Sequence, residues 1–404
     1  MGRDYCKHVG RLLSAQRDIL KTESIEKIEA AIGDVQAALA SSASQDVIKE
    51  KTRLLGETAE KWLKPYPYAS IRENVEVLLV ALTVAMAIRT FVAQPFKIPT
   101  GSMQPTLFGV VSSSTGPVNQ VNLHPLDPNF RPPGMLQRIF DFVVLGVSYH
   151  YQEAEDDGEL VGVSQPYKAF FLINKQDAVI RYNSGQQKVY SFWMVPEDYF
   201  PYRAGLEPGM PVHKGQPFLN MKDSAGDHLF VDRVSYNFRH PTRGDIIVFE
   251  TTGIDKLIEA STTSSGASAK GQFYIKRLVG LGGENIQIGD DRHLKIDGKR
   301  LDKTTPHFEN VYSFEPSQPA RDSQYSGHLN QKMSMEYGIG GFPKLFPTEN
   351  DVYSIPKNHY MVMGDNTANS SDSRVWGDFA QTNVVGKYFM VYWPFSKRFG
   401  WNVR

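Results

Sequence analysis

Cysteine is all but missing from this chain. Of its 404 residues only Cys6 is a cysteine, so a disulfide framework within the chain and a cysteine-based zinc site are both excluded, and the fold has to stand on burial. An excess of charge is missing too. The 44 lysines and arginines are matched by 44 aspartates and glutamates, which argues against nucleic acid as a partner. There is no H-E-x-x-H, no phosphate loop and no dinucleotide fingerprint. No serine sits in a G-x-S-x-G elbow, and the ten histidines are scattered. Long apolar runs are scarce, with one exception at residues 75–93. An apolar content of 41% is nevertheless ample for the core of one large or two modest domains.

What is present begins with helical periodicity. Ile25, Ile28, Ile32, Val35 and Leu39 recur at spacings of three and four, with Ser24 placed to cap the start. A Ser/Ala-rich break at 40–45 separates them from a second helix carrying Ile48, Leu55 and Trp62, which Pro65 and Pro67 would end. Residues 1–73 therefore read as a helical hairpin, a solvated spacer or interaction element whose stripe is short for a coiled coil. The apolar run follows. Its charge-free part, Val77 to Ile88, is short for a span of about 20 residues. With Glu76 and Arg89 snorkelling toward the interfaces, residues 74–94 become long enough. No amphipathic alternation survives across it, unlike a buried core helix, and it starts too far from residue 1 for a cleavable signal. Lys49, Lys51, Arg53, Lys61, Lys64 and Arg72 lie upstream, and the next fifty residues hold only Lys97, Arg131 and Arg138. Positive-inside then places the amino terminus in the cytoplasm and residues 95–404 on the other side.

Directly after the span comes Pro95 to Leu107, P-F-K-I-P-T-G-S-M-Q-P-T-L. Pro99 keeps Ile98 extended, Gly101 permits close approach, and Pro105 stops a helix. Ser102 is thus displayed on a stiff, non-helical segment, but a serine hydroxyl is a weak nucleophile without a base. By itself the stretch also reads as an ordinary turn after a membrane helix. Two later blocks bear on it: the strand-like Phe273 to Glu284, where Lys276 interrupts apolar surroundings, and the polar loop Met363 to Arg374.

Five stretches, taken in order, resemble bacterial type I signal peptidases: I-P-T-G-S-M-Q-P-T-L (98–107), G-D-H-L-F-V-D-R-V-S-Y (226–236), R-G-D-I-I-V-F (243–249), Y-I-K-R-L-V-G-L-G-G-E (274–284) and G-D-N-T-A-N-S-S-D-S-R-V-W-G (364–377). They cover about an eighth of the chain directly. The resemblance implies a mainly β, antiparallel catalytic domain. Short runs such as 228–234, 245–249, 273–281, 286–288, 294–296, 360–363 and 387–393, separated by Gly/Asp turns, agree with it. Residues 110–222, which include the alternating runs 140–147 and 168–173, read as a β-rich insertion. Residues 303–350 read as a second insertion of low pattern, and 261–270 as a flexible loop by composition.

The resemblance also assigns roles. Ser102 is the nucleophile and Lys276 its general base. A lysine must be neutral to accept a proton, and burial among Phe273, Tyr274, Ile275, Leu278 and Val279 would lower its ordinary pKa of about 10.4 by desolvation. The Ser102 N–H and the Thr100 hydroxyl are the candidate oxyanion donors. Ser370 would hydrogen-bond Lys276 and orient it, and Asp365, Asn366, Asp372 and Arg374 would form a structural network bracing the loop. Thr367 departs from a frequent arginine, and Gly282-Gly283-Glu284 from a more usual ending. The implied activity needs no metal or cofactor. It is removal of signal peptides from secretory precursors after small residues, A-x-A-like, at the surface of the membrane lipid. The bacterial cytoplasmic membrane is the implied location. A Ser/Lys self-cleaving regulator is an alternative, opposed by the membrane span and the absence of net charge; a catalytically silent binding homologue is another.

Overall fold

The structure, a computed structural model, describes residues 2–41, 43–64, 68–115, 123–127, 129–169, 173–193, 204–265, 268–339 and 343–401. The chain divides into two compact units, Met1–Ala85 and Met86–Arg404. In the first, residues 2–62 form three helices rather than the expected hairpin: α1 Gly2–Gln16, α2 Thr22–Ala40 and α3 Gln45–Trp62. Cys6, Val9 and Leu13 of α1 pack with Ile28 and Val35 of α2 and Leu55 and Ala59 of α3. The buried stripe of α1 is completed by Gln16, an amide that lowers its hydropathy and hides the helix from a hydrophobic scan. That amide is satisfied across the unit, donating to the Lys64 carbonyl at 2.8 Å and accepting from the Lys64 N–H at 3.0 Å. Ser24 is not the cap. Lys21 occupies that position, and Ser24 is buried inside the first turn. Pro65 and Pro67 lie outside the described residues.

Helix α4, Ala69–Phe91, begins earlier than expected. Its stretch Ile71–Phe91 is 21 residues long, apolar enough to cross a membrane and nowhere buried; at 1.5 Å per residue it measures about 30 Å, the thickness of a hydrocarbon core. It stops where strand pairing takes over at Ala93.

The second unit is mainly antiparallel β, as expected. Its principal sheet is built from β1 Ala93–Lys97, β2 His228–Asp232, β3 Ile246–Glu250, β4 Phe273–Leu281, β5 His359–Met363, β6 Phe379–Ala380, β7 Val384–Trp393 and β8 Gly400–Trp401. The spatial order is β1-β2-β7-β3-β4-β5-β6, with β8 on β7. Every pair is antiparallel. The central strand β3 is buried on both faces, which is why Ile246 to Phe249 is a continuous apolar run.

Residues 110–222 are β-rich. They contribute a four-stranded sheet containing Val147–Glu153 and Pro217–Ser224, and a five-stranded one containing Gly158–Val163 and Ile173–Tyr182. The run 140–147 is a correction: Met135–Phe140 is α-helix and Asp141–Leu145 continues it in wider π-type turns, ended by Gly146 at φ +66°. Residues 170–172 of the other run lie outside the described part. The loop expected at 261–270 is helical in its first half, within Asp255–Ser265. Its hydroxyls do not oppose the helix, because Ser261 and Thr262 both donate back to the Ile258 carbonyl at 2.8 Å. Among its described residues the low-pattern stretch 303–350 has one helix, Gln331–Glu336, yet it is no appendage: Phe308, Val311, Tyr312 and Phe346 share a core with Val279, Ile286, Met361 and Met363.

The sheet also fixes the serine-bearing turn. Ile98 before it and Met103 and Leu107 within it are buried against Leu229, Val231, Ile246, Val248 and Val391. The Ile98 N–H bonds the Asp227 carbonyl at 3.0 Å, and the Asp227 N–H bonds the Phe108 carbonyl at 2.8 Å. This approach requires glycine at 226, where a Cβ would fall 1.9 Å from the Ile98 carbonyl oxygen. Gly226→Ala is therefore expected to lower the thermal midpoint of the β unit by about 5–10 °C, followed by near-ultraviolet circular dichroism. An unchanged midpoint would show that this contact does not hold the turn.

Candidate active site

Two elements distant in sequence meet at the site. The turn at 101–107 carries Ser102, 7% exposed, and β4 brings in Lys276, 4% exposed. Lys276 Nζ donates to Ser102 Oγ at 2.7 Å and to the Ile275 carbonyl at 3.1 Å. The Tyr274 ring centre lies 5.5 Å from Nζ. Burial pushes the Lys276 pKa down to about 8, since an ammonium removed from water loses its hydration; Asp372 and Asp365 offset part of this, while Arg374 adds to it. Of the five strand neighbours expected to shield the amine, Leu278 and Val279 are buried, Tyr274 and Ile275 half-buried, and Phe273 exposed.

Backbone bonds hold the serine in place. The Asn366 N–H donates to the Ser102 carbonyl at 3.1 Å. Asn366 Nδ2 donates to the Gly101 carbonyl at 2.9 Å and to Asp322 Oδ1 at 2.7 Å. A trans peptide points its C=O and N–H in opposite directions, so fixing the Gly101 carbonyl turns the Ser102 N–H away from Asn366. Among the described residues nothing accepts from that N–H.

Two buried ion pairs underlie the loop. Arg277 donates to both oxygens of Asp365, at 2.7 and 2.6 Å, and its remaining nitrogen satisfies the Gly244 and His307 carbonyls at 2.9 and 2.8 Å. Burial would draw the guanidinium pKa down, but the Asp365 carboxylate outweighs it and leaves it raised. Thr106 donates to Asp365, and its hydroxyl lies 2.9 Å from the Tyr325 hydroxyl. Arg374 grips both oxygens of Asp372 at 2.9 Å, and the Gly364 N–H adds a third bond at 2.9 Å. Burial would push the Asp372 carboxyl up; Arg374 and the Gly364 N–H hold it below the usual range. Thr367 has a defined place of its own, accepting from Arg374 at 2.7 Å and from the Leu329 N–H at 2.9 Å.

Ser370 differs from its expected geometry. Its Oγ is buried, among the described residues no bond joins it to Lys276, and its hydroxyl acts instead on Asp372, whose carboxyl it helps to hold low. It is nonetheless at the site. A Cβ on Gly364 would fall 2.3 Å from both Ser370 Oγ and the Ser102 carbonyl oxygen, so only glycine fits between them. Thr100 is exposed, with its backbone packed on Gly109, whose Cβ would fall 2.2 Å from the Thr100 carbonyl oxygen. Among the described residues no cluster of three or more His, Cys, Asp or Glu could hold a metal.

Sequence reasoning assigned no part to Arg277, Thr106, Asp322 or Tyr325. Arg277 carried a signal, a second charge in an apolar strand beside Lys276. Asp322 and Tyr325 carried none, because they lie in the low-pattern stretch. Removing one partner of a buried pair strands the other charge, so Arg277→Met is expected to cost about 3–5 kcal/mol in denaturant unfolding, and the double variant Arg277→Met/Asp365→Leu clearly less. Equal costs would mean that the pair is not coupled.

The family described as "Signal peptidase, peptidase S26" matches residues 71–112 and 216–393. The signal peptidase I of Leptolyngbya laminosa is 28% identical over 171 residues, 42% of this chain and 62% of that protein. A probable signal peptidase I-2 of Synechocystis is 28% identical over 185 residues, again 62% of its length, so the chain spans less than two thirds of both relatives. The signal peptidase I of Pseudomonas fluorescens is 27% identical over 262 residues, 58% of this chain and 81% of that one.

Proposed function

Because the chain belongs to the signal peptidase family, peptidase S26, whose profile spans more than half of it, we propose that it is a membrane-anchored serine endopeptidase that removes signal peptides from secretory precursors. One observation carries the reading. A buried amine whose pKa is lowered to about 8 lies 2.7 Å from the hydroxyl of a serine 174 residues away. When Lys276 is protonated it donates to Ser102 Oγ; once neutral, its lone pair accepts the hydroxyl proton along the same line.

In this mechanism Ser102 Oγ attacks the scissile carbonyl carbon as its proton passes to Lys276 Nζ. The tetrahedral oxyanion takes the free Ser102 N–H and the Thr100 hydroxyl as donors. Lys276 then protonates the leaving amine, the C–N bond breaks, and an ester to Ser102 remains. A water, deprotonated by Lys276, attacks that ester; the carboxylate leaves and the proton returns to Ser102. Ser370, whose Oγ flanks Gly364 opposite the Ser102 carbonyl, is the residue to steer the amine between these steps. Asp365, Asn366, Asp372 and Arg374 hold the loop. Cleavage after small residues is part of the proposal, and the burial of Ile98, Met103 and Ser102 itself supports it, because a serine so little exposed is reached more easily past short side chains. With α4 as the anchor, the lysines and arginines before it keep the amino terminus in the cytoplasm and place Ser102 on the extracytoplasmic face.

Purified full-length protein in detergent is expected to cut a precursor with an A-x-A site, and Ser102→Ala and Lys276→Ala each to lose about 10³-fold or more in rate while staying folded. Normal cutting by Lys276→Ala would make the lysine structural; no cutting by the unaltered chain would sink the assignment. Since the base works when neutral and its pKa is about 8, the rate is expected to rise about tenfold per pH unit below that value and to level off above it. A flat profile between about pH 6 and 9 would exclude Lys276 as the titrating base.

A further inference from the structure

Residues 113–215 lie outside the family match, and within them the helical segment 135–145 is amphipathic in the inverted sense. Met135, Leu136, Ile139, Phe140, Phe142 and Val143 are all exposed, Leu136 at 85%, whereas Asp141 is 5% exposed. The Asp141 carboxylate accepts from Gln137 Nε2 at 2.6 Å and from the Tyr149 hydroxyl at 2.7 Å, and Arg138 donates to the Tyr149 carbonyl at 3.1 Å. Polar groups thus face the strand Val147–Glu153 and apolar ones face out. A surface helix bathed in water does the reverse, and a contiguous apolar patch marks a partner.

The segment is fastened to the catalytic sheet. Trp393 Nε1 donates to the Val143 carbonyl at 2.7 Å, and the Phe395 N–H to the Val144 carbonyl at 3.0 Å. Phe395 and Phe399, both exposed, lie just beyond with ring centres 4.7 Å apart and planes tilted by 38°, and enlarge the apolar surface. Strand register brings this surface close to the end of α4. β1 starts at Ala93, two residues after α4; at its far end Lys97 pairs with His228, which pairs with Trp393. One five-residue strand, about 15 Å, therefore separates the two. Met86, Ile88 and Phe91, exposed at the end of α4, belong to the same compact unit.

We propose that the partner of the 135–145 face is a lipid bilayer, and that this segment lies in the interface of the membrane that α4 crosses, with its apolar side chains about 5–10 Å below the headgroups. A protein groove would fit the same face, but the bilayer is the solvent that α4, with every residue of its span unburied, already requires. The consequence is positional. Docked in this way, the segment would hold the Lys97 end of β1, and with it Ser102 five residues on, against the membrane surface. This rests on reading α4 as a membrane span and is independent of the peptidase chemistry.

The test uses the full chain with Cys6→Ala, carrying one new cysteine labelled with an environment-sensitive fluorophore, in proteoliposomes of phosphatidylcholine and phosphatidylglycerol containing nitroxide-labelled lipid. The labels go at Leu136→Cys, at Val80→Cys within α4, and at Lys299→Cys on the hairpin of a separate small sheet. Leu136→Cys is expected to be quenched, more by a nitroxide near the carbonyl end of the acyl chain than by one near its tip, and Lys299→Cys not at all. No protein partner is present, so quenching can come only from lipid. If Val80→Cys is quenched and Leu136→Cys is not, the proposal falls while the span stands; if neither is quenched, both fall. Quenching at Leu136→Cys without Val80→Cys keeps the interfacial face and removes the span.

Discussion

Desolvation of one amine is the constraint on which the rest of the second unit depends. Holding Lys276 away from water lowers its pKa by roughly two to three units, which costs on the order of 3 kcal/mol whenever the ammonium must be kept at neutral pH. The pKa stays low only as far as nearby groups do not restore the charged form. Asp365 and Asp372 could both do so, and each is answered by a bidentate arginine, Arg277 and Arg374. The carboxylates are committed before the lysine can claim them. The buried ion pairs are therefore as much a device for keeping Lys276 depressed as they are braces for the loop.

Precision at the serine comes from a second constraint, close backbone approach. Glycines at 109, 226 and 364 each face a carbonyl oxygen of the segment 98–102 at distances that no Cβ tolerates. The turn is thereby pressed between β2 and the loop after β5. Asn366 completes the clamp by holding the carbonyls on both sides of Ser102. Asp322 holds Asn366 in turn, so a stretch with almost no regular structure takes part in positioning the nucleophile. In such a region packing and hydrogen bonds, not secondary structure, carry the geometry.

The inverted helix at 135–145 and the unburied helix α4 share one physical feature. Each exposes an apolar surface that water does not stabilise, and each is joined to the catalytic sheet by a short, hydrogen-bonded connection. In the bilayer reading the sheet is tethered at both ends of β1, which restricts its rotation relative to the membrane.

Much of this was legible in the chain itself, because it depends on neighbours in sequence. The strands from Ile246 onward, the apolar run of α4 and the stiff turn around Ser102 follow from local periodicity, proline and glycine. The positions of Ser102, Lys276, Asp365, Asn366, Asp372 and Arg374 could be named from short blocks. Helix α1 was not legible, since Gln16 and Cys6 stand where a hydropathy pattern looks for aliphatic residues; nor was the helix at 135–145, whose apolar run suits a strand equally well. Only the tertiary structure decided that Lys276 and Ser102 touch, that Ser370 stands beside them without bonding the amine, that Asp322 and Tyr325 support the site, and that an apolar helix face points outward. Such contacts join residues far apart in the chain. They form only when packing closes long loops, and a pattern of apolar residues does not say whether the surface it makes will meet a core or a membrane.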